Sequence, residues 1–259
     1  MKRHRNVLIW AGFTIVIVAL VSYIPIFTLF PVTRDIPWAN YLLFLLGGGL
    51  LAVGVKRAFR DPEHYGGKIS GSILTVLSVL LFGFFVGSIL YFGKQIPSGE
   101  RALRPGQPAP PFVLQDIAGK PVASSELLKG HRAVVLVFYR GYWWPFCNSE
   151  LRGFEQHLGE FHDRGVEVIA ISVDSPAESQ KLCQSRGYSF PFLSDPNAQV
   201  IRQYGVLHPK GGEDGKDIAR PAEFLVDTAG TIRWVNLTDD IRVRARPEAV
   251  LGAISRLGG

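Results

Sequence analysis

Hydrophobic positions follow two regimes along this chain. Up to residue 92 they run almost unbroken through three stretches, 7–30 (interrupted only by Pro25), 38–55 and 69–92. Each is long enough to predict a helix crossing ~30 Å of hydrocarbon. Beyond Gly99 the apolar runs are short and separated by turn residues. Residues 133–139 and 166–173 read as strands buried on both faces. Leu151, Phe154, Leu158 and Phe161 recur at helical spacing before Gly165, a C-terminal stop. Ser175-Pro176 opens a second helix that runs to Gly187. Then come a short strand at 192–193, a short helix at 198–204, and strands 223–226 and 231–237 about the turn Asp227-Thr-Ala-Gly230. A helix at 247–257 ends the pattern. Strand–helix–strand–helix followed by a hairpin and a helix predicts an α/β domain, a central sheet with helices on both faces.

Charge sharpens the first regime. Residues 1–96 hold nine Lys/Arg and three acids, so the chain's entire +6 lies there, and 97–259 carries nineteen of each sign. A basic excess beside the apolar segments, with a neutral soluble part, excludes nucleic acid as the expected partner and points to membrane topology. A basic start before an apolar run also marks signal peptides. Here the run exceeds a typical signal core and no small-x-small cleavage site follows. Two further spans favour an anchor, residues 1–96, with membrane lipid as its partner. Residues 1–5 and the loop 56–68 (Lys56, Arg57, Arg60, Lys68) belong on the cytoplasmic side, and the connection 31–37, with Arg34 alone, outside. Three crossings then put the C-terminal domain outside, periplasmic if the membrane is a bacterial inner membrane. Gly47, Gly48, Gly49, Gly83 and Gly87 permit close helix packing and a homo-oligomer. No ionisable residue interrupts a span, which weighs against transport.

Residues 97–110, rich in Pro and Gly, read as a linker, with the soluble domain beginning near Arg101. Two cysteines, Cys147 and Cys183, are too few for a disulfide scaffold or a standard zinc site, and the six histidines lack metal spacing. The polar stretch 208–219 matches no phosphate-binding pattern and reads as an exposed excursion. No cofactor is expected.

Cys147 follows a strand and a turn containing Gly141 and Pro145, so it falls in the first turn of the next helix. An ordinary thiol, of pKa ~8.5, is only a few per cent ionised at neutral pH. Helix N-terminal N–H groups favour the thiolate, and Arg140 and Arg220 are candidate cationic partners. The alternative is a small buried filler.

Several short stretches share one order and spacing: 105–114 (Pro-Gly-Gln-Pro-Ala-Pro-Pro-Phe-Val-Leu), Phe-Tyr-Arg-Gly at 138–141, Pro-Phe-Cys-Asn at 145–148, 168–174, Phe-Leu-Ser-Asp at 192–195, Tyr-Gly-Val at 204–206 and Phe-Leu-Val-Asp at 224–227. Through them residues 104–255 resemble the peroxiredoxin (AhpC/TSA, redoxin) family of the thioredoxin superfamily, and within it the bacterioferritin-comigratory-protein branch. The resemblance implies a thioredoxin-like fold and a thiol oxidoreductase with Cys147 as nucleophile. It implies a peroxide or disulfide substrate and an outside thiol as reductant. Some members of that branch carry a resolving cysteine where Cys183 lies, against the alternative of a semi-buried cysteine without function.

Two departures stand out. Trp144 occupies the place of the family's Thr, or of the first Cys in Cys-x-x-Cys, and brings neither hydroxyl nor thiol. Pro221 stands where peroxiredoxins have Arg and thioredoxins a cis-Pro, with Arg220 beside it; a cis Arg220–Pro221 bond is expected. Loss of the residue at 144 keeps a second reading open, a non-catalytic binding module tethered to the membrane.

Overall fold

The computed structural model describes residues 4–257, the side chain of Asp214 excepted. The chain forms two compact units, Met1–Lys94 and Gln95–Gly259.

The first unit contains α1 (Val7–Val21), α2 (Pro31–Asp35), α3 (Trp38–Arg60) and α4 (Lys68–Leu90). The expected span 7–30 is not one helix: α1 stops after 15 residues, and turns and a 3-10 segment, Phe27–Leu29, follow. Pro25 has no N–H to continue the ladder, and fifteen residues cover only ~22 Å. Among the described residues two helices therefore have the length and apolarity to cross a membrane, Trp38–Arg60 and Lys68–Lys94. Helix α3 runs past its apolar run through Lys56, Arg57 and Arg60, long side chains that can carry their charges to an interface. Glycine decides how α1 meets α3. A Cβ on Gly12 would lie 2.6 Å from the Gly47 carbonyl oxygen, and one on Gly47 2.7 Å from that of Gly12, whereas Gly48, Gly49, Gly83 and Gly87 face open space. Of the basic start, Lys2 and Arg3 lie outside the described residues.

The second unit runs β1 (Val113–Gln115), β2 (Pro121–Ala123), α5 (Ser124–Leu127), β3 (Ala133–Phe138), α6 (Pro145–Gln156), α7 (Leu158–Asp163), β4 (Val166–Ser172), α8 (Pro176–Arg186), β5 (Phe192–Ser194), α9 (Gln199–Gln203), β6 (Leu207–His208), β7 (Ile218–Ala219), β8 (Ala222–Asp227), β9 (Ile232–Leu237) and α10 (Pro247–Ser255). Seven strands form a mixed sheet in the order β2-β1-β5-β4-β3-β8-β9. Strands β3, β4 and β5 run parallel, and β8 lies antiparallel to β3, with Val135 opposite Val168 on one side and Leu225 on the other. Strand alternation splits the core. Val135, Val137, Val168 and Leu225 pack with residues of α6, α7, α8 and α10, including both cysteines. Val134, Leu136, Phe138, Phe224 and Val226 pack on the other face with Val200, Ile201 and Tyr204.

Local signals explain the boundaries. Ser175 and Glu178 form a reciprocal capping box on α8, and Gly187 ends that helix in the left-handed region at φ 73°. The linker is less free than its composition suggests: Gly106 and Ala109 donate to Ile232 and Gly230 carbonyls, so residues 106–109 lie along β9. The stretch 208–219 is no loose excursion either. Strands β6 and β7 pair at its base, which fixes His208 and Gly211 near the end of β3.

Candidate active site

The site grows from the junction of β3 with α6. Burial raises the Tyr139 phenol well above its ordinary range, with Asp174, Ser172 and Ser179 around it. Asp174 Oδ2 accepts from the Tyr142 backbone N–H at 2.9 Å, tying the turn to the end of β4. Gly141 sits at φ 154°, and a Cβ there would lie 2.7 Å from Trp143 Nε1. Pro145 opens α6 without wasting a backbone donor, so Cys147 is its third residue.

Cys147 is 0% exposed. Its Sγ accepts from the Arg140 backbone N–H and from Arg244 Nη2, each at 3.4 Å. A helix N-terminus, a backbone amide and a guanidinium thus converge on one sulfur. Arg244 is fixed by its other nitrogens. Nη1 donates to the Ile241 and Val243 carbonyls at 2.7 Å, and Nε lies 2.9 Å from Glu150 Oε2 in an ion pair closed to solvent. Burial, then the facing Glu223 carboxyl, push Glu150 well above the usual carboxylate range.

The Arg140 guanidinium lies 5.0 Å from the centre of the Trp144 ring, donates to His208 Nδ1 at 2.9 Å and to the Gly211 carbonyl at 2.8 Å. Because Arg can only donate, His208 Nδ1 accepts and its proton sits on Nε2. Burial and the cations Arg140 and Arg220 hold His208 down to about 4, a neutral ring at physiological pH. Burial lowers Arg140 to about 10, still a cation there. Trp144 spends its indole N–H on the Ile241 carbonyl at 3.4 Å.

Of the residues singled out in the sequence, Cys147, Arg140 and Trp144 come together and Arg220 does not. Arg220 donates to the Pro97 and Thr238 carbonyls at 2.5 Å and pairs with Asp239 at 3.0 Å. On β8, Phe224 and Ala222 face the core opposite Cys147 and Leu225 faces Cys147; Arg220 precedes that strand, where these carbonyls and Asp239 hold its guanidinium. The Arg220–Pro221 bond is trans, correcting the expected cis form, as all described peptide bonds are; even before proline trans is favoured by about 0.5–1 kcal/mol. Cys183 shares the apolar cluster of Cys147, and both thiols are free and buried. Burial pushes the Cys183 thiol up to about 11. Sequence reasoning missed Arg244, Glu150, Glu223 and His208. The +3 spacing of Glu150 from Cys147 on one helix was the one available signal.

Residues 105–235 match the model of the AhpC/TSA family. Alkyl hydroperoxide reductase E of Mycobacterium tuberculosis is 32% identical over 144 residues, 55% of this chain and 90% of that protein. Peroxiredoxin Bcp of Escherichia coli is 32% identical over 151 residues, 58% of this chain and 94% of its own. Thiol-disulfide oxidoreductase ResA of Halalkalibacterium halodurans is 34% identical over 136 residues, 52% of this chain and 72% of its own. Among solved structures, peroxidoxin BcpB from M. tuberculosis superposes with a TM-score of 0.55 at 26% identity, over 61% of this chain and 99% of that one. With its matched span and a mixed sheet carrying Cys147 at the first turn of α6, the chain belongs to the AhpC/TSA family and is a thiol oxidoreductase of thioredoxin-like fold.

Proposed function

We propose that the chain is a membrane-anchored, extracytoplasmic thiol peroxidase whose nucleophile is Cys147. The observation that carries this is the pair of donors, Arg244 Nη2 and the Arg140 backbone N–H, at 3.4 Å from a sulfur whose motif has no second thiol. The Cys147 thiolate attacks one oxygen of a hydroperoxide, the O–O bond breaks, and cysteine sulfenic acid forms as the leaving alkoxide or hydroxide takes up a proton. An incoming thiol then condenses with the sulfenic acid, releasing water and leaving a disulfide. Arg244 and Arg140 stabilise the thiolate and the charge passing to the leaving oxygen. With Cys147 fully buried, the hydroperoxide enters by displacing the Trp144 indole, whose bond to Ile241 is long. Cys183 is the internal candidate for the resolving thiol, in competition with an outside one.

Disulfide exchange is the second reading, favoured by the likeness to ResA. The discriminating assay supplies the full chain with hydrogen peroxide or with a mixed disulfide, and dithiothreitol as reductant. Peroxide turnover abolished by Cys147→Ser supports the first reading. Turnover of the disulfide alone replaces it with the second, and activity with neither leaves the tethered binding module.

The membrane placement rests on α3 and α4. Lys56, Arg57, Arg60 and Lys68 gather at the connection between them, which assigns that loop to the cytoplasm. Helix α4 then leads out, so the C-terminal unit is extracytoplasmic whether or not α1 also crosses.

A further inference from the structure

Glu150 and Glu223 are 3% and 1% exposed, and the two carboxyl groups lie close enough that the charge of Glu223 disfavours ionisation of Glu150. Asn236 Nδ2 donates to Glu223 Oε2 at 2.7 Å. Among the described residues no hydrogen bond reaches Glu150 Oε1 or Oε2, or Glu223 Oε1, and Glu150 has only the Arg244 guanidinium beside it, Nε lying 2.9 Å from Oε2 in an ion pair. Two buried carboxyl groups side by side and short of donors resist being ionised together, and Glu150 is pushed well above the usual carboxylate range. Cys147 on α6 and Arg244 on the segment after β9 face this pair; Arg140 at the end of β3 faces Cys147 and is backed by His208. With one proton in the pair and Cys147 ionised, two guanidinium cations face one shared carboxylate charge and one thiolate, and the cluster is neutral. Were both carboxyl groups ionised, Arg244 would be claimed by Glu150, its 2.9 Å neighbour, and the thiolate would lose that cation.

We propose that Glu223 is a positioning residue: by sharing one proton with Glu150 and drawing the negative charge toward Asn236, it leaves the Arg244 guanidinium to the Cys147 sulfur. This rests on the reading of Cys147 as the nucleophile, but its test does not depend on turnover. The full chain carrying Cys183→Ser is titrated by thiolate absorbance in dodecyl maltoside, with Cys147→Ser in the same background subtracted. Glu223→Gln keeps the shape but confines the negative charge to Glu150, beside Arg244. The midpoint of the Cys147 titration should rise by about one pH unit, a tenfold loss of thiolate at fixed pH. Glu150→Gln moves the charge to Glu223, and the midpoint should hold or fall. A purely structural role would move both variants in the same direction, and that result, or no shift in Glu223→Gln, overturns the proposal. Should Glu223→Gln fail to fold, infrared spectra decide. A protonated-carboxyl C=O band at neutral pH, absent in Glu150→Gln, supports the shared proton, and its absence from the parent overturns it. Peroxide turnover, measured separately, speaks only to the peroxidase reading.

Discussion

Arg244→Met removes a cation from the Cys147 sulfur while keeping an unbranched, flexible stem. At the observed 3.4 Å and an effective dielectric of about 20, the attraction between guanidinium and thiolate is about 5 kcal/mol. That is a ceiling, because Glu150 draws on the same guanidinium and Arg140 remains. A hydrogen bond to a charged group contributes about 1.5–3 kcal/mol net, which corresponds to about 10- to 150-fold in rate. The rate constant for sulfenic acid formation by hydrogen peroxide at neutral pH should fall by that factor. Stability should fall too, because Arg244 is the buried partner of Glu150 and holds the Ile241 and Val243 carbonyls; losing one member of a buried pair costs about 3–5 kcal/mol. Arg244→Lys keeps the charge but not the fork, so it should recover part of the rate and little of the stability. The assay is rapid-mixing oxidation followed by trapping, on protein shown to be folded by circular dichroism. A folded Arg244→Met that reacts at the parent's rate would refute the assignment of Arg244 to the thiolate.

Three further outcomes are expected. Trp144→Thr opens the space above Cys147 and returns a hydroxyl, so peroxide reactivity should rise at least about tenfold, while truncating a large packed aromatic costs about 3–5 kcal/mol by thermal unfolding; an unchanged rate would remove the indole as the barrier. His208, held down to about 4 from 6.5, stays neutral in the folded chain while the unfolded chain takes up a proton. Stability is therefore full above pH 6.5 and declines as pH falls toward 4; chemical denaturation of His208→Asn should show a flatter profile over that window. Alkaline phosphatase fused after Gly259 should be active and fused within residues 61–67 inactive; the reverse pattern would invert the topology.

The sequence made some parts of this molecule plain and hid others for physical reasons. Cys147 was legible because a buried strand, a Gly-containing turn and a Pro-led helix fix one position, the helix N-terminus, from local pattern alone. The strands of the central sheet were legible because burial on both faces makes them continuous apolar runs. Arg244 was not, since it lies in an irregular segment 97 residues from Cys147 in sequence, where no periodicity marks a direction. Arg220 misled because adjacency to the right position is not occupancy of it: it lies in the connection before β8, where the Pro97 and Thr238 carbonyls and Asp239 take its guanidinium. His208 was hidden by composition, since a Gly-rich polar stretch reads as solvent-exposed until the short β6–β7 ladder pins it beneath Arg140. The first span misled through hydropathy averaging, which counts apolar residues across Pro25 without registering that the helix has ended.

The central claim, that Cys147 is a peroxide-reactive thiol, is tested most directly by intact-mass analysis of the full chain after limiting hydrogen peroxide, with and without dimedone. The account predicts a dimedone adduct mapping to Cys147 and absent in Cys147→Ser, or a loss of two hydrogens if Cys183 reaches the sulfenic acid first. A chain that leaves the peroxide with Cys147 unmodified, while remaining folded, would contradict it.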